Sequence, residues 1–263
     1  MKLKMIIAAI GVTLSAASQA TIVPPSTIGG SDLLLNVWEQ NAPGGQPDQS
    51  FTLNLGVTFS QFEAASGSSA TLATLLSTDS IWTNFLATSD TADAGVLQWS
   101  VIASGVKVNT RPGIFGTATV GTDPTTVGIY GYLVNANLNS ANSQVAGTVA
   151  NLNIAPNPDE QVAQKGSGAY YMDYTLSDFN GTAFQNSNDI GATAAVWSAK
   201  NISGGNTVAA QMTQMAGTMT FTQVGSDYVL SYNVAAVPEA PGFGMALCGL
   251  AAVGFLSARR RKA

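Results

Sequence analysis

Apolar and polar residues alternate along much of the chain, and that alternation predicts its first elements. Ser50 to Thr58 places Phe51, Leu53, Leu55 and Val57 on one face with polar residues between them, the period of a strand with one buried side. Asp32 to Glu39 reads as an earlier strand, joined to it by the proline- and glycine-rich loop Asn41 to Asp48. Leu97 to Val108 is a further strand-like run. Thr218 to Val224 and Tyr228 to Val234 alternate around Gly225-Ser226-Asp227 and make the clearest hairpin in the sequence. Another strand is read at Ala194 to Ala199. Asn153 to Gly168 reads as loop, and the remainder of Thr175 to Gly205 is too polar and too rich in glycine and asparagine to assign.

Two stretches carry a helical period instead. Ala70 to Ala87 sets Leu72, Leu75, Leu76, Trp82, Phe85 and Leu86 at helical spacing, with a break at Ser77 to Ser80. Val134 to Leu152 sets Val134, Leu138, Ala141, Val145, Val149 and Leu152 three or four apart. The expected body, residues 21–236, is therefore mainly β: a two-sheet β-sandwich with two short helical insertions. No internal repeat or domain boundary interrupts it. Trp38, Trp82 and Trp99 each lie in an apolar pattern that calls for burial in its core.

Both ends of the chain depart from this alternation. Residues 1–20 have the order of a secretory signal peptide: Lys2 and Lys4, an apolar core from Met5 to Leu14, then Ser18-Gln19-Ala20 with small residues where a signal peptidase reads. Cleavage is expected between Ala20 and Thr21. The last residues, 237–263, fall into three parts. Val237-Pro238-Glu239-Ala240-Pro241-Gly242 is a turn-forming segment that its prolines keep out of a helix. Phe243 to Ala258 is a charge-free run of sixteen residues, expected to be a C-terminal hydrophobic helix. Arg259, Arg260, Arg261 and Lys262 follow as a basic stop. As a helix the run spans roughly 24 Å, short for a bilayer core of about 30 Å, and the basic cluster favours the cytoplasmic side. The body would then lie outside the inner membrane.

The Val237-Pro238-Glu239 tripeptide, the short glycine-containing apolar stretch and the terminal arginine cluster together resemble the PEP-CTERM sorting signal. The usual motif is Pro-Glu-Pro; here Ala240 takes the third place and proline follows at Pro241. The resemblance covers about a tenth of the chain. It implies export from a Gram-negative cell, transient anchoring in the inner membrane, recognition by an exosortase-like membrane protease, and a place at the cell surface or in an extracellular, polysaccharide-containing matrix or biofilm.

Composition narrows what the body can do. Between Asp32 and Asp227 it carries fourteen acidic residues against four basic ones, Lys107, Arg111, Lys165 and Lys200, so nucleic acid is not an expected partner. The chain has no histidine, which excludes Ser-His-Asp and Cys-His sites and the usual zinc sites. Its one cysteine, Cys248, lies in the tail, so the body has no disulfide. No cofactor or metal is expected, and no catalytic residue is assigned. Asp173 with Asp178, or Asp159 with Glu160, are the carboxylates that a glycosidase would have to pair, and solvated loop positions are the expected alternative. Asp90-Thr91-Ala92 lacks the glycine of an aspartic protease motif. Asp90, Asp93 and Gly95 are a fragment of a calcium loop without the full ligand pattern. Neither Lys165 nor Lys200 sits in a Ser-Lys motif. Trp38, Trp82, Trp99 and Trp197, with the cluster Tyr170-Tyr171-Met172-Asp173-Tyr174, raise sugar stacking, against the alternative of core packing that is favoured for the first three. The sequence thus favours a non-enzymatic structural or adhesive protein of the matrix, with a carbohydrate-binding module or carbohydrate-active enzyme as the alternative.

Overall fold

The computed structural model describes residues 21–39, 49–89, 97–106, 112–121, 135–170, 188–201 and 210–235. The signal segment 1–20, the tail 237–263 and the calls on Asp90, Asp93, Gly95, Asp173, Asp178 and Tyr171–Tyr174 lie outside these residues. Within them the chain is mainly β, as expected. The elements in order are β1 (Asp32–Glu39), β2 (Gln49–Thr58), α1 (Phe59–Ala65), β3 (Ala70–Leu75), α2 (Ser80–Thr88), β4 (Leu97–Val106), β5 (Pro112–Thr119), α3 (Asn135–Asn153), β6 (Glu160–Gln164), β7 (Asn188–Asp189), β8 (Thr193–Lys200), β9 (Gln211–Val224) and β10 (Asp227–Val234).

The described strands form one antiparallel sheet, not two. Its order is β3-β10-β9-β8-β5-β4-β1-β2-β6, with the two-residue β7 paired to β4. The expectation of two stacked sheets therefore gives way to a single curled one. The curl is visible at Trp82 of α2, whose ring lies 4.8 Å from Phe51 on β2 and 5.1 Å from Tyr228 on β10. Those strands are six steps apart in the sheet, roughly 29 Å if it were flat. Register shifts at Asp32/Leu34, Ala195/Trp197 and Leu230/Ser231 supply the bends, because a bulge sharpens local twist.

Inside the curl, α1 and α2 bury an aromatic cluster. Thr58 caps α1 reciprocally with Gln61: the Thr58 hydroxyl accepts from the Gln61 amide, and the Gln61 side chain accepts from the Thr58 amide at 2.9 Å. This helix turns Phe59 and Phe62 inward, Phe62 lying 5.1 Å from Phe115 and 5.0 Å from Tyr232. The Tyr232 hydroxyl donates to Ser66 O and accepts from the Gly217 amide. A Cβ at position 217 would come within 2.4 Å of the Tyr232 ring, so the close approach requires glycine.

Outside the curl, α3 lies on β4, β5 and β8. Its buried stripe Leu138, Ala141, Val145, Val149 and Leu152 meets Ile102, Ile114 and Ala118, and Ser104 Oγ donates to Asn142 Oδ1 at 2.7 Å. Strand alternation divides the two cores. Leu33, Leu35 and Val37 of β1 face the aromatic interior, while Leu34 and Trp38 face the α3 side. That is why every residue of β1 is buried.

Several expectations need correction. Ala70 to Leu75 is a strand, not the first half of a helix. ATLATL fits both periods, and antiparallel pairing to β10 decides it by burying Ala73 and Leu75. The break at Ser77 to Ser80 falls where expected, immediately before α2. Part of the stretch read as loop is β6, a polar strand held against β2. The final hairpin begins seven residues earlier than read, at Gln211, and turns through Gly225-Ser226 with Gly225 at φ +66°, as a two-residue primed turn requires. Strands β1, β2, β4 and β8 and helix α3 stand close to their expected bounds.

Because Trp82 joins strands from distant parts of the sheet, Trp82→Ala is expected to destabilise the protein by about 3–5 kcal/mol. Denaturant unfolding of the two proteins checks this.

Candidate functional site

Two described carboxyl groups, those of Asp79 and Glu160, come together where β6 meets the start of α2. Asp79 is the N-cap of α2. Its Oδ1 accepts from the amides of Ile81 at 2.9 Å and Trp82 at 3.2 Å, which satisfies two donors that the first turn leaves open. Glu160 starts β6 opposite Leu53 of β2 and is therefore directed to the inner side of the sheet. Burial pushes its carboxyl up to about 7; the charge of Asp79 and the hydrogen bond that protonated Glu160 donates to Asp79 add to the shift. Glu160 Oε1 is buried with no hydrogen-bond partner.

A second polar cluster lies on the other side of the same corner. Asp32 is buried and its Oδ2 accepts from the Val23 amide at 2.8 Å. Burial raises its pKa, the Val23 amide and Asn54 oppose the rise, and Asp159 adds to it. Asn54 bridges the cluster: its amide donates to Asp159 O and its Nδ2 to Asp159 Oδ1 at 3.1 Å. Asp159 and Glu160 are thus adjacent in sequence but engaged by different partners, and the pair considered from sequence does not converge. The partner of Glu160 is Asp79, whose one sequence signal is its place just before a short apolar helical run.

Asp79 Oδ1 is engaged by the first-turn amides of α2, which makes it a helix cap in this structure. A groove of about 390 Å³ lies on the far side of β6, lined by Ile154, Pro156, Val162, Ala163 and Ala169 among others, with no titratable side chain on its wall. Among the described residues no group of three or more acidic or cysteine side chains is arranged to hold a metal.

The aromatic candidates are core residues. Trp38, Trp82 and Trp99 are at most 1% exposed, as their patterns predict, and Trp197 is also buried, against the α3 side. Tyr170 is buried with them. None of these five rings offers a face to a sugar. Lys200 forms an ion pair with Glu63.

Of the processing residues, Ala20, Val237, Pro238, Glu239, Ala240, Pro241, Arg259, Arg260, Arg261 and Lys262 lie outside the described residues. Thr21 is described and exposed. Ile22, next to it, is fully buried, and Asn153 holds its backbone at both ends: Oδ1 accepts from Ile22 N at 2.9 Å and Nδ2 donates to Ile22 O at 3.0 Å.

Comparison with known protein-family profiles, curated proteins and solved structures finds no match.

The raised Glu160 carboxyl makes a signed prediction. A folded pKa above the unfolded value of 4.5 gives stability that is full below 4.5 and is lost as the pH rises to and through about 7. Glu160→Gln keeps a donor to Asp79 without the charge. Its thermal midpoint at pH 8 is expected to exceed that of the unaltered protein by roughly 2–6 °C, and the difference is expected to vanish near pH 4, as melting curves across that range would measure.

Proposed function

We propose that the chain is an exported protein, sorted by an exosortase-like membrane protease to the cell surface or extracellular matrix of a Gram-negative bacterium, where its body has a structural or adhesive role. The observation that carries this reading is the fixed C-terminal order of Val237-Pro238-Glu239, apolar run and Arg259-Arg260-Arg261-Lys262. Signal peptidase, the inner membrane and the sorting protease are the partners it implies. Among the described residues no helix is long and apolar enough to cross a membrane.

Two features of the body fit double processing. Exposed Thr21 beside buried Ile22 puts the expected first cut at the border of the packed body. At the other end β10 stops at Val234 and Ala235 is exposed, close in sequence to the expected second cut.

A structural role also suits the interior. The four tryptophans fill cores, and the Asp79 carboxyl caps a helix. No catalytic step is proposed.

Truncation after Ala236 tests the sorting reading. Cells producing the full chain are expected to carry it at the surface or in the matrix, and cells producing the truncated chain to lose that retention, as fractionation and immunoblotting would show. Unchanged localisation and processing of the truncated chain would overturn the reading.

A further inference from the structure

Helix α3 covers the outer face of the sheet over β4, β5 and β8, and Met212 near the start of β9 packs against that core; among the described residues no helix packs on the outer face of the rest of β9, of β10 or of β3. Register fixes which side chains stand there. Phe221 pairs with Leu230 and Met219 with Tyr232, all inward, so the residues between them point outward. Thr193, Thr220, Ser231 and Thr71 then fall in one row across β8, β9, β10 and β3. The next row holds Thr222, Val229 and Thr74, and Thr218 lies on the other side beside Asn233. The result is a two-dimensional hydroxyl array with about 4.8 Å between strands and about 6.8 Å along them. Among the described residues, no hydrogen bond within the protein occupies the hydroxyls of these threonines and Ser231.

We infer that this hydroxyl face binds a neutral polysaccharide chain. Each alternative partner conflicts with something the face lacks. Nucleic acids and anionic polymers need cations; the face has none, and the body around it is strongly acidic. A protein interface is built on buried aromatic, methionine or arginine anchors, and none of these stands in the array. A rigid planar lattice such as ice needs a flat template. Adjacent strands turn by roughly 20–25°, so four strands turn too far to lie flat on a crystal plane. A flexible, uncharged polymer of hydroxyl groups can follow the twist and exchange hydrogen bonds with the array along its length. Single contacts of this kind are weak, and a polymer offers many copies of its repeat to many copies of the protein. The inference rests on the export reading only for where such a polymer is met.

Affinity electrophoresis of the protein recovered from the cells that export it, through gels holding dextran, starch, a mixed-linkage β-glucan or alginate, tests the inference. Retardation by at least one of the three neutral polymers and not by alginate is expected. The combined variant Thr193→Val, Thr220→Val and Ser231→Ala keeps side-chain shape and should bind roughly tenfold or more weakly, with an unchanged melting curve. Should that variant fold poorly, Thr222→Glu places one charge on the same face and should also weaken binding. Equal retardation of the folded variants and the unaltered protein would overturn the inference. So would retardation only by alginate, adsorption to ice but to none of the neutral polymers, or no binding at all. Because the gels contain no cell envelope, such a failure leaves the sorting reading to the truncation experiment, and failure of truncation to alter localisation leaves the binding result standing.

Discussion

The indole of Trp82 occupies the position on which the curl depends. Ten described strands can share one sheet and still enclose a core only if residues from distant strands meet a common filler. Trp82 touches Phe51, Phe85, Phe221 and Tyr228, and so ties β2 to β9 and β10. It is held there by a nine-residue helix, too short to be stable alone. The Asp79 cap and the burial of Trp82 and Phe85 therefore support each other. Glu160, in hydrogen-bond contact with Asp79, extends that support to β6, the strand at one end of the sheet.

The fold was legible where one local period ruled. Phe51, Leu53 and Leu55 declared β2, and the apolar stripe of α3 declared a helix despite its asparagines. It was illegible where pairing decided. Ala70 to Leu75 satisfies a helical period until β10 is beside it, and Glu160 to Gln164 is polar enough to read as loop until β2 supplies the ladder. A single curled sheet and a pair of stacked sheets produce the same alternation, so strand order could not be read either. Burial of Trp38, Trp82 and Trp99 followed from their neighbours. The Asp79–Glu160 contact did not, because it joins the start of a helix to a strand far along the chain, and only the tertiary structure brings them together. The hydroxyl face was equally hidden: its cross-strand rows come from register.

Function divides along the same line. The proposed address lies at the ends of the chain, where residue order alone suggests it. The body carries no catalytic signature in sequence. What it offers is a sheet with two differently used outer regions, one sealed by α3 and one left as uncharged hydroxyls. Burial of the four tryptophans and Tyr170 takes these rings out of contact with any partner. The proposed export and a hydrogen-bonding, uncharged face are compatible with one another.

The central claim, export followed by removal of both ends, is tested most directly by the intact mass of the protein recovered from its native envelope and medium. The account predicts a chain that begins at Thr21 and ends between Val237 and Gly242. A chain that still carries Arg259 to Ala263, or one that retains Met1 to Ala20, would contradict it.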